Sequence, residues 1–206
     1  MIPSSPISLV AFSVLSALTI VGVVWLAQTY NRLVGLKNVT QNGFAQIEIQ
    51  LKRRYDLIPN LVECVKSYMA HERETLQSVI AARNHASTEL AAVRREVSNL
   101  QNMQGLVNAE NALNGALGRM NFVMERYPDL KANLVVSQLS EELASTENRI
   151  TFARQVYNDS ATTFNIHRQC FPTVLVAGSL GFTDDLTMLE FEESQTLQAA
   201  PQVAFA

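Results

Sequence analysis

The sequence predicts an all-α protein, a single N-terminal transmembrane helix followed by an antiparallel bundle of long helices. Three observations carry that reading. Ile7 to Ala27 contains no charge, no proline and one glycine; at about 1.5 Å per residue it makes a helix of roughly 30 Å, the thickness of a bilayer's hydrocarbon core. Beyond it, apolar residues recur at three- and four-residue spacing over long runs, with few strand signals. Glycine and proline number only 8 and 6 in 206 residues, so the economical solution is long helices joined by short turns.

The span is placed at residues 7–28, after a short outer leader at 1–6. A core helix of a soluble protein is rarely so evenly apolar. A cleaved signal peptide fits worse, because no Lys or Arg precedes the run and it exceeds the usual ~7–15 residue apolar region. Arg32, Lys37, Lys52, Arg53 and Arg54 all follow the span. Positive charge stays on the cytoplasmic side, which predicts the N-terminus outside and the C-terminal domain in the cytosol. Trp25 and Tyr30 fall where an inner interfacial belt would lie.

From Asn31 to Leu57 the helical register continues, with Val39, Gly43, Ile47, Leu51 and Arg54 near one stripe. Gly35 and Gly43 cost this helix about 1 kcal/mol each relative to alanine and mark close contact with a neighbour. Pro59 predicts a break or kink at Ile58–Pro59. A second helix is expected from Pro59 through the His85 region, with Leu61, Val65, Tyr68, Glu72, Leu76, Val79 and Arg83 on one face. Glu72 and Arg83 thus interrupt an apolar stripe. Eleven positions apart, roughly 16 Å, they need partners from other helices or from solvent.

After a turn in the 85–90 region, a third helix is expected from about Ser87 to Tyr127, ended by Pro128, with a continuous helix preferred over a reversal near Gly105. The fourth runs from Asp129 to Cys170, capped by Asp129 or a neighbour and stopped by Pro172. Phe171 to Phe182 is apolar but broken by Pro172, Gly178 and Gly181, too short to span and expected to wrap against the bundle. The bundle is placed at residues 29–182. The remainder, 183–206, is an acidic tail whose last fifteen or so residues are expected to be disordered.

Composition excludes several functions. A net charge of −3 and a pI of about 5.6 supply no basic field for nucleic acid. The two cysteines, Cys64 and Cys170, lie far apart without a CxxC or Cys/His cluster, so neither a zinc site nor any other metal or cofactor is expected. His71-Glu72 opens an HExxH pattern, but Thr75 stands where the second histidine must be. No catalytic constellation is visible.

Several segments carry a resemblance. Tyr30-Asn31-Arg32-Leu33-Val34, the run Gln50 to Val62 (QLKRRYDLIPNLV), Val65-Lys66, Tyr68, His71-Glu72 and Ala82-Arg83 resemble the LemA family in order. So do Ala153 to Asn158 (ARQVYN), Phe164-Asn165 and Phe171-Pro172. The resemblance covers about Tyr30 to Phe182. It implies a bacterial inner-membrane protein with a cytoplasmic helical bundle and no firmly established enzymatic activity. A family relative takes part in magnetosome membrane formation, and genes for membrane metalloproteases neighbour some members. The anchor and the long helices make membrane lipid and further copies of the chain the expected partners, and the resemblance adds a membrane protein such as a membrane protease.

Candidate interaction residues follow from pattern. Arg53, Arg54, Asp56 and Asn60 cluster at the proline break and read as an internal polar network, Asp56 against an arginine and Asn60 capping the restarted helix. Solvated charges at a kink and an anion or lipid-headgroup site are the alternatives. Arg149 and Arg154 are the expected partners of Glu72. Tyr157-Asn158 and Phe164-Asn165 repeat an aromatic-asparagine pair at heptad spacing, read as core plus register-setting polar contacts or as an intersubunit coiled-coil stripe. Together these features predict a self-associating membrane scaffold. An accessory subunit or enzyme acting on membrane proteins or lipids is the alternative.

Overall fold

The computed structural model describes residues 6–95 and 99–189. Six helices follow in order: α1 Pro6–Lys66, α2 Arg73–Arg95, α3 Leu100–Met124, α4 Pro128–Ala132, α5 Leu134–Gln169 and α6 Val174–Ala177. No strand occurs among the described residues, so the protein is all-α. Of the leader placed at 1–6, residues 1–5 lie outside the described residues and Pro6 already opens α1; the last fifteen residues, for which disorder is expected, also lie outside them.

α1 dominates the molecule. Its 61 residues make a rod of about 90 Å. The N-terminal third is apolar and bare: Phe12 is 70% exposed and Ile20 63%, and none of its most apolar window is buried. A core helix would be covered; this one presents the surface a bilayer would cover, and it marks a membrane-anchored protein. The same helix then enters the bundle without a break and packs antiparallel on α5. Gly43 lies against Tyr157, where an added Cβ would come within 3.2 Å of the Tyr157 Cα. Further along, Arg54 meets Glu147.

The expected break at Ile58–Pro59 is absent; α1 continues to Lys66 with Pro59 inside it. Proline removes the N–H that would bond the carbonyl four residues earlier. That carbonyl belongs to Tyr55, and it accepts instead from Arg83 Nε at 2.9 Å. A side chain from α2 therefore supplies the missing donor, and the helix tolerates its proline. The chain reverses later, at residues 67–72. Here Tyr68 and Met69 N–H both donate to the Val65 carbonyl, closing the end of α1.

Two further boundaries differ from expectation. Residues 85–90 lie within α2 rather than in a turn, and the region from Ser87 to Tyr127 is not one helix. α2 ends at Arg95, and α3 starts after Asn99, whose Oδ1 accepts from Gln101 and Asn102 N–H. The signal passed over is an Asn at the N-cap position of an apolar-periodic run. The Pro128 break is real, but Pro128–Ala132 forms its own short helix. The cap of α5 is therefore Asn133, accepting from Val135 and Val136 N–H.

α2 and α3 form a second antiparallel pair laid against α1 and α5. One apolar core runs between them, with Ile47, Leu51, Ile58, Val79, Leu106, Leu113, Met120 and Ile150 all at 0% exposure. A smaller core of Leu33, Phe164, Ala177 and Phe182 lies at the end nearest the bare part of α1. There the segment after α5 folds back on the bundle, as its broken apolar pattern predicts.

Candidate functional site

Buried ionisable side chains meet between α1, α3 and α5. Glu110 sits on α3 within the apolar sequence Leu106, Glu110, Leu113 and is 0% exposed. Tyr55 Oη donates to Glu110 Oε1. Arg54 Nη1 lies 3.3 Å from Glu110 Oε2 and 2.8 Å from Glu147 Oε2, while its Nη2 donates to Asn114 Oδ1. One guanidinium thus faces two carboxylates. Burial pushes the Glu110 carboxyl above its ordinary range; Arg54 and the Tyr55 hydrogen bond pull it back, and Glu147 raises it further. Tyr55 is driven up by burial and by the Glu110 charge. Each group finds its partner within the cluster, as buried ionic groups must. The arrangement ties three helices together.

The charges around Pro59 do not form a single cluster. Arg53 points away from Arg54 and pairs with Glu142 on α5 at 2.5 Å. Asp56 is largely exposed and lies 3.8 Å from Arg83 Nη2. Asn60 is exposed in mid-helix, so it caps nothing, because the helix never restarts. Arg83 does more than expected: besides the Tyr55 carbonyl it reaches the Tyr55 ring, 6.0 Å from the centroid. Glu72 is not paired with Arg149 or Arg154. It lies in the turn before α2 and meets Arg126 at the end of α3, 3.0 Å away. The correction follows from the helix boundary, since ending α1 at Lys66 carries Glu72 away from α5. Arg154 is buried on α5 and Arg149 exposed.

The heptad pair on α5 has a distinct task. Tyr157 and Phe164 enter the two cores. Asn158 and Asn165 grip the chain's own C-terminal segment. Asn165 Nδ2 donates to the Leu186 carbonyl at 2.9 Å and its Oδ1 accepts the Leu186 N–H at 2.8 Å. Asn158 does the same to Leu189, at 3.0 and 2.8 Å. Seven residues of helix advance about 10.5 Å, and three residues of extended chain about 10 Å. The two amides therefore match the repeat of an extended segment and satisfy its backbone as a neighbouring strand would. Tyr157 Oη donates to the Thr187 carbonyl between them, and burial pushes its pKa up to about 12. Arg168 and Gln169 anchor the near end through Asp185 and the Thr183 carbonyl. Leu189 is fully buried as a result.

Sequence reasoning missed Glu110, Asn114, Glu142, Glu147 and Arg126. For Glu110 the signal was present: a charged residue inside a three-and-four apolar stripe, the same signal that picked out Glu72 and Arg83. The pairings needed the helix boundaries first.

No group of three or more His, Cys, Asp or Glu placed to hold a metal ion occurs among the described residues. The larger grooves do not gather reactive groups either. That between the end of α1 and α2 has an apolar floor of Val62, Met69, Leu76 and Ile80 with Glu63, Lys66 and Arg73 at its rim.

The fold and its polar networks define a membrane-anchored helical bundle whose ionisable residues cross-link helices. The chain belongs to the LemA family, whose sequence profile matches residues 43–205. It is similar to Protein LemA of Metamycoplasma hominis, 29% identical over 151 residues, 73% of this chain and 64% of that protein. It is also similar to Magnetosome protein MamQ 2 of Paramagnetospirillum magneticum, 26% identical over 188 residues, 84% of this chain and 69% of the relative. Magnetosome protein MamQ of Magnetospirillum gryphiswaldense is 24% identical over 189 residues, with the same coverage of 84% and 69%. The chain thus spans about two thirds of the length of each of these relatives.

Proposed function

We propose that this protein is a non-catalytic scaffold of a bacterial inner membrane, N-terminus outside and bundle in the cytoplasm, that self-associates and organises membrane or partner proteins. The observation that carries the proposal is an apolar face left open on the α1–α5 pair beyond the anchor. Phe152 is 69% exposed and Val156 43%, and both line a groove with Gly43, Gln46 and Gln50. Val39, 53% exposed, continues the same stripe of α1. Gln50 Oε1 is buried beside this groove and makes no hydrogen bond among the described residues, so an occupant offering a donor would satisfy it. Large exposed apolar side chains beside such a groove suit a protein partner, and a second copy is the simplest one. The similarity to relatives named magnetosome proteins supports membrane organisation as the task.

Thiol cross-linking in native membranes tests this reading. In a Cys64→Ser/Cys170→Ser background, Phe152→Cys and Val156→Cys should each yield a cross-linked dimer, while Ser4→Cys should leave a thiol labelled from outside. Monomer alone at both groove positions would refute self-association through this face. Labelling of position 4 only after membrane rupture would refute the orientation.

A further inference from the structure

We infer that the bundle touches the bilayer a second time, through an uncharged apolar knuckle formed by Phe171, just past the end of α5, and by Val174 and Leu175 on α6. The inference rests on the anchor reading of α1. Phe171 is 80% exposed, Leu175 72% and Val174 49%, side chains that a soluble surface seldom groups together. From Gln169 to Thr183 the chain carries no charge, so placing this stretch among lipid headgroups desolvates no ionised side chain.

Register puts the knuckle at the membrane surface. Gly43 lies against Tyr157, with α1 and α5 antiparallel. Fourteen residues back along α1 is Thr29, and fourteen onward from Tyr157 is Phe171. Thr29 lies two residues past Ala27, the end of the apolar stretch, or about 3 Å along the axis. The contacts agree with this level. Phe182 packs on Tyr30 with ring centroids 6.0 Å apart, and its ring lies 5.9 Å from Lys37 Nζ. Ala177 and Phe182 share a core with Leu33. Thr29 itself is already buried at 6%, so the bundle reaches down to the edge of the span. The headgroup layer adds roughly 5–7 Å beyond the hydrocarbon, and the knuckle lies within it. Two contacts, a spanning helix and an interfacial knuckle, fix the tilt of the bundle where one would leave it free to swing.

The two native cysteines are placed to test this. Cys170 adjoins Phe171 and is exposed, while Cys64 lies near the far end of α1, about 55 Å beyond Ala27. Full-length protein would be reconstituted in phosphatidylethanolamine–phosphatidylglycerol vesicles containing a mixture of lipids brominated near the headgroup end and lipids brominated near the methyl end of the acyl chain, so that both the interface and the midplane carry quencher. An environment-sensitive fluorophore would be placed at Cys170 (in Cys64→Ser), at Cys64 (in Cys170→Ser), or at position 18 (Leu18→Cys with both native thiols removed). Quenching at Cys170 should exceed that at Cys64 by roughly three-fold or more, as expected for a group seated ~5–10 Å into the interface. Phe171→Asp with Leu175→Asp should return Cys170 to the Cys64 level, leaving position 18 quenched. Quenching at position 18 but not at Cys170 would overturn the knuckle and leave the anchor standing. No quenching at position 18 would overturn both. Quenching at Cys170 that survives the two aspartates would also overturn the inference, because the apolar side chains would then not be what inserts.

Discussion

Arg83 is the residue whose removal reports most directly on how α1 survives its proline. Substituting Arg83→Met keeps the aliphatic stem and deletes the donor that reaches the Tyr55 carbonyl at 2.9 Å. Tyr55 is 2% exposed, so its carbonyl is left without a donor, at a cost of about 1–3 kcal/mol. The guanidinium over the Tyr55 ring adds roughly 0.5–1 kcal/mol. The Asp56 pair adds little, since that carboxylate is 81% exposed. A total loss of about 1.5–4 kcal/mol follows from these contributions. The background Pro59→Ala separates the causes. Alanine restores an N–H aimed at the same carbonyl, so Arg83→Met should then cost only about 1 kcal/mol, the part unrelated to the carbonyl. A double-mutant cycle measured by denaturant unfolding in detergent, followed by circular dichroism, should give a coupling equal to the carbonyl contribution, about 1–3 kcal/mol. Equal losses in the two backgrounds would refute the claim that Arg83 replaces the bond that Pro59 removes.

Other consequences are equally open to measurement. Asn158→Ala strips both backbone bonds from buried Leu189 and should release the Leu189 amide to rapid exchange at a cost of about 1–3 kcal/mol, while the Leu186 amide stays protected by Asn165; unchanged exchange at Leu189 would contradict the clamp. Gly43→Ala drives a Cβ to 3.2 Å from the α5 backbone and should destabilise by about 1 kcal/mol or more despite its helix propensity. Gly118→Ala meets nothing within 4 Å and should stabilise by up to about 1 kcal/mol; the reverse order would refute the close α1–α5 approach. The carboxyl of Glu110 is raised above its ordinary 4.5, so the folded state holds that proton more tightly than the unfolded chain. Its contribution is complete below 4.5 and is lost as pH rises through the raised value. The stability advantage of wild type over Glu110→Gln should therefore shrink as pH climbs from that point, and a difference independent of pH would be the contrary result.

What the sequence made legible followed from periodicity and length. The Ile7–Ala27 run announced an anchor, and the apolar stripes announced helices packed on one another. Proline was the misleading signal. At Pro59 the local rule predicted a break, yet the freed carbonyl was satisfied by a residue twenty-eight positions away, which no local pattern encodes. Carrying α1 through Pro59 shifts the boundaries that follow: the reversal falls at 67–72, and Glu72 meets Arg126 rather than an arginine of α5. The asparagines of α5 were recognised as a heptad pair. Their use as backbone clamps required knowing that Leu186 and Leu189 run beside them. Glu110 carries the same signal as Glu72 and Arg83, a charge inside an apolar stripe, but its partners Tyr55 and Arg54 lie on α1 and cannot be paired with it before the helix boundaries are known.

The central claim is that an apolar rod tethers a helical body that works by contact with its own kind. Complexes excised from native membranes in lipid nanodiscs, without detergent, and weighed one by one would test it most directly. The account predicts protein masses at multiples of 22.8 kDa. A uniform population of single chains in those discs, or the intact protein recovered free of membrane, would contradict it.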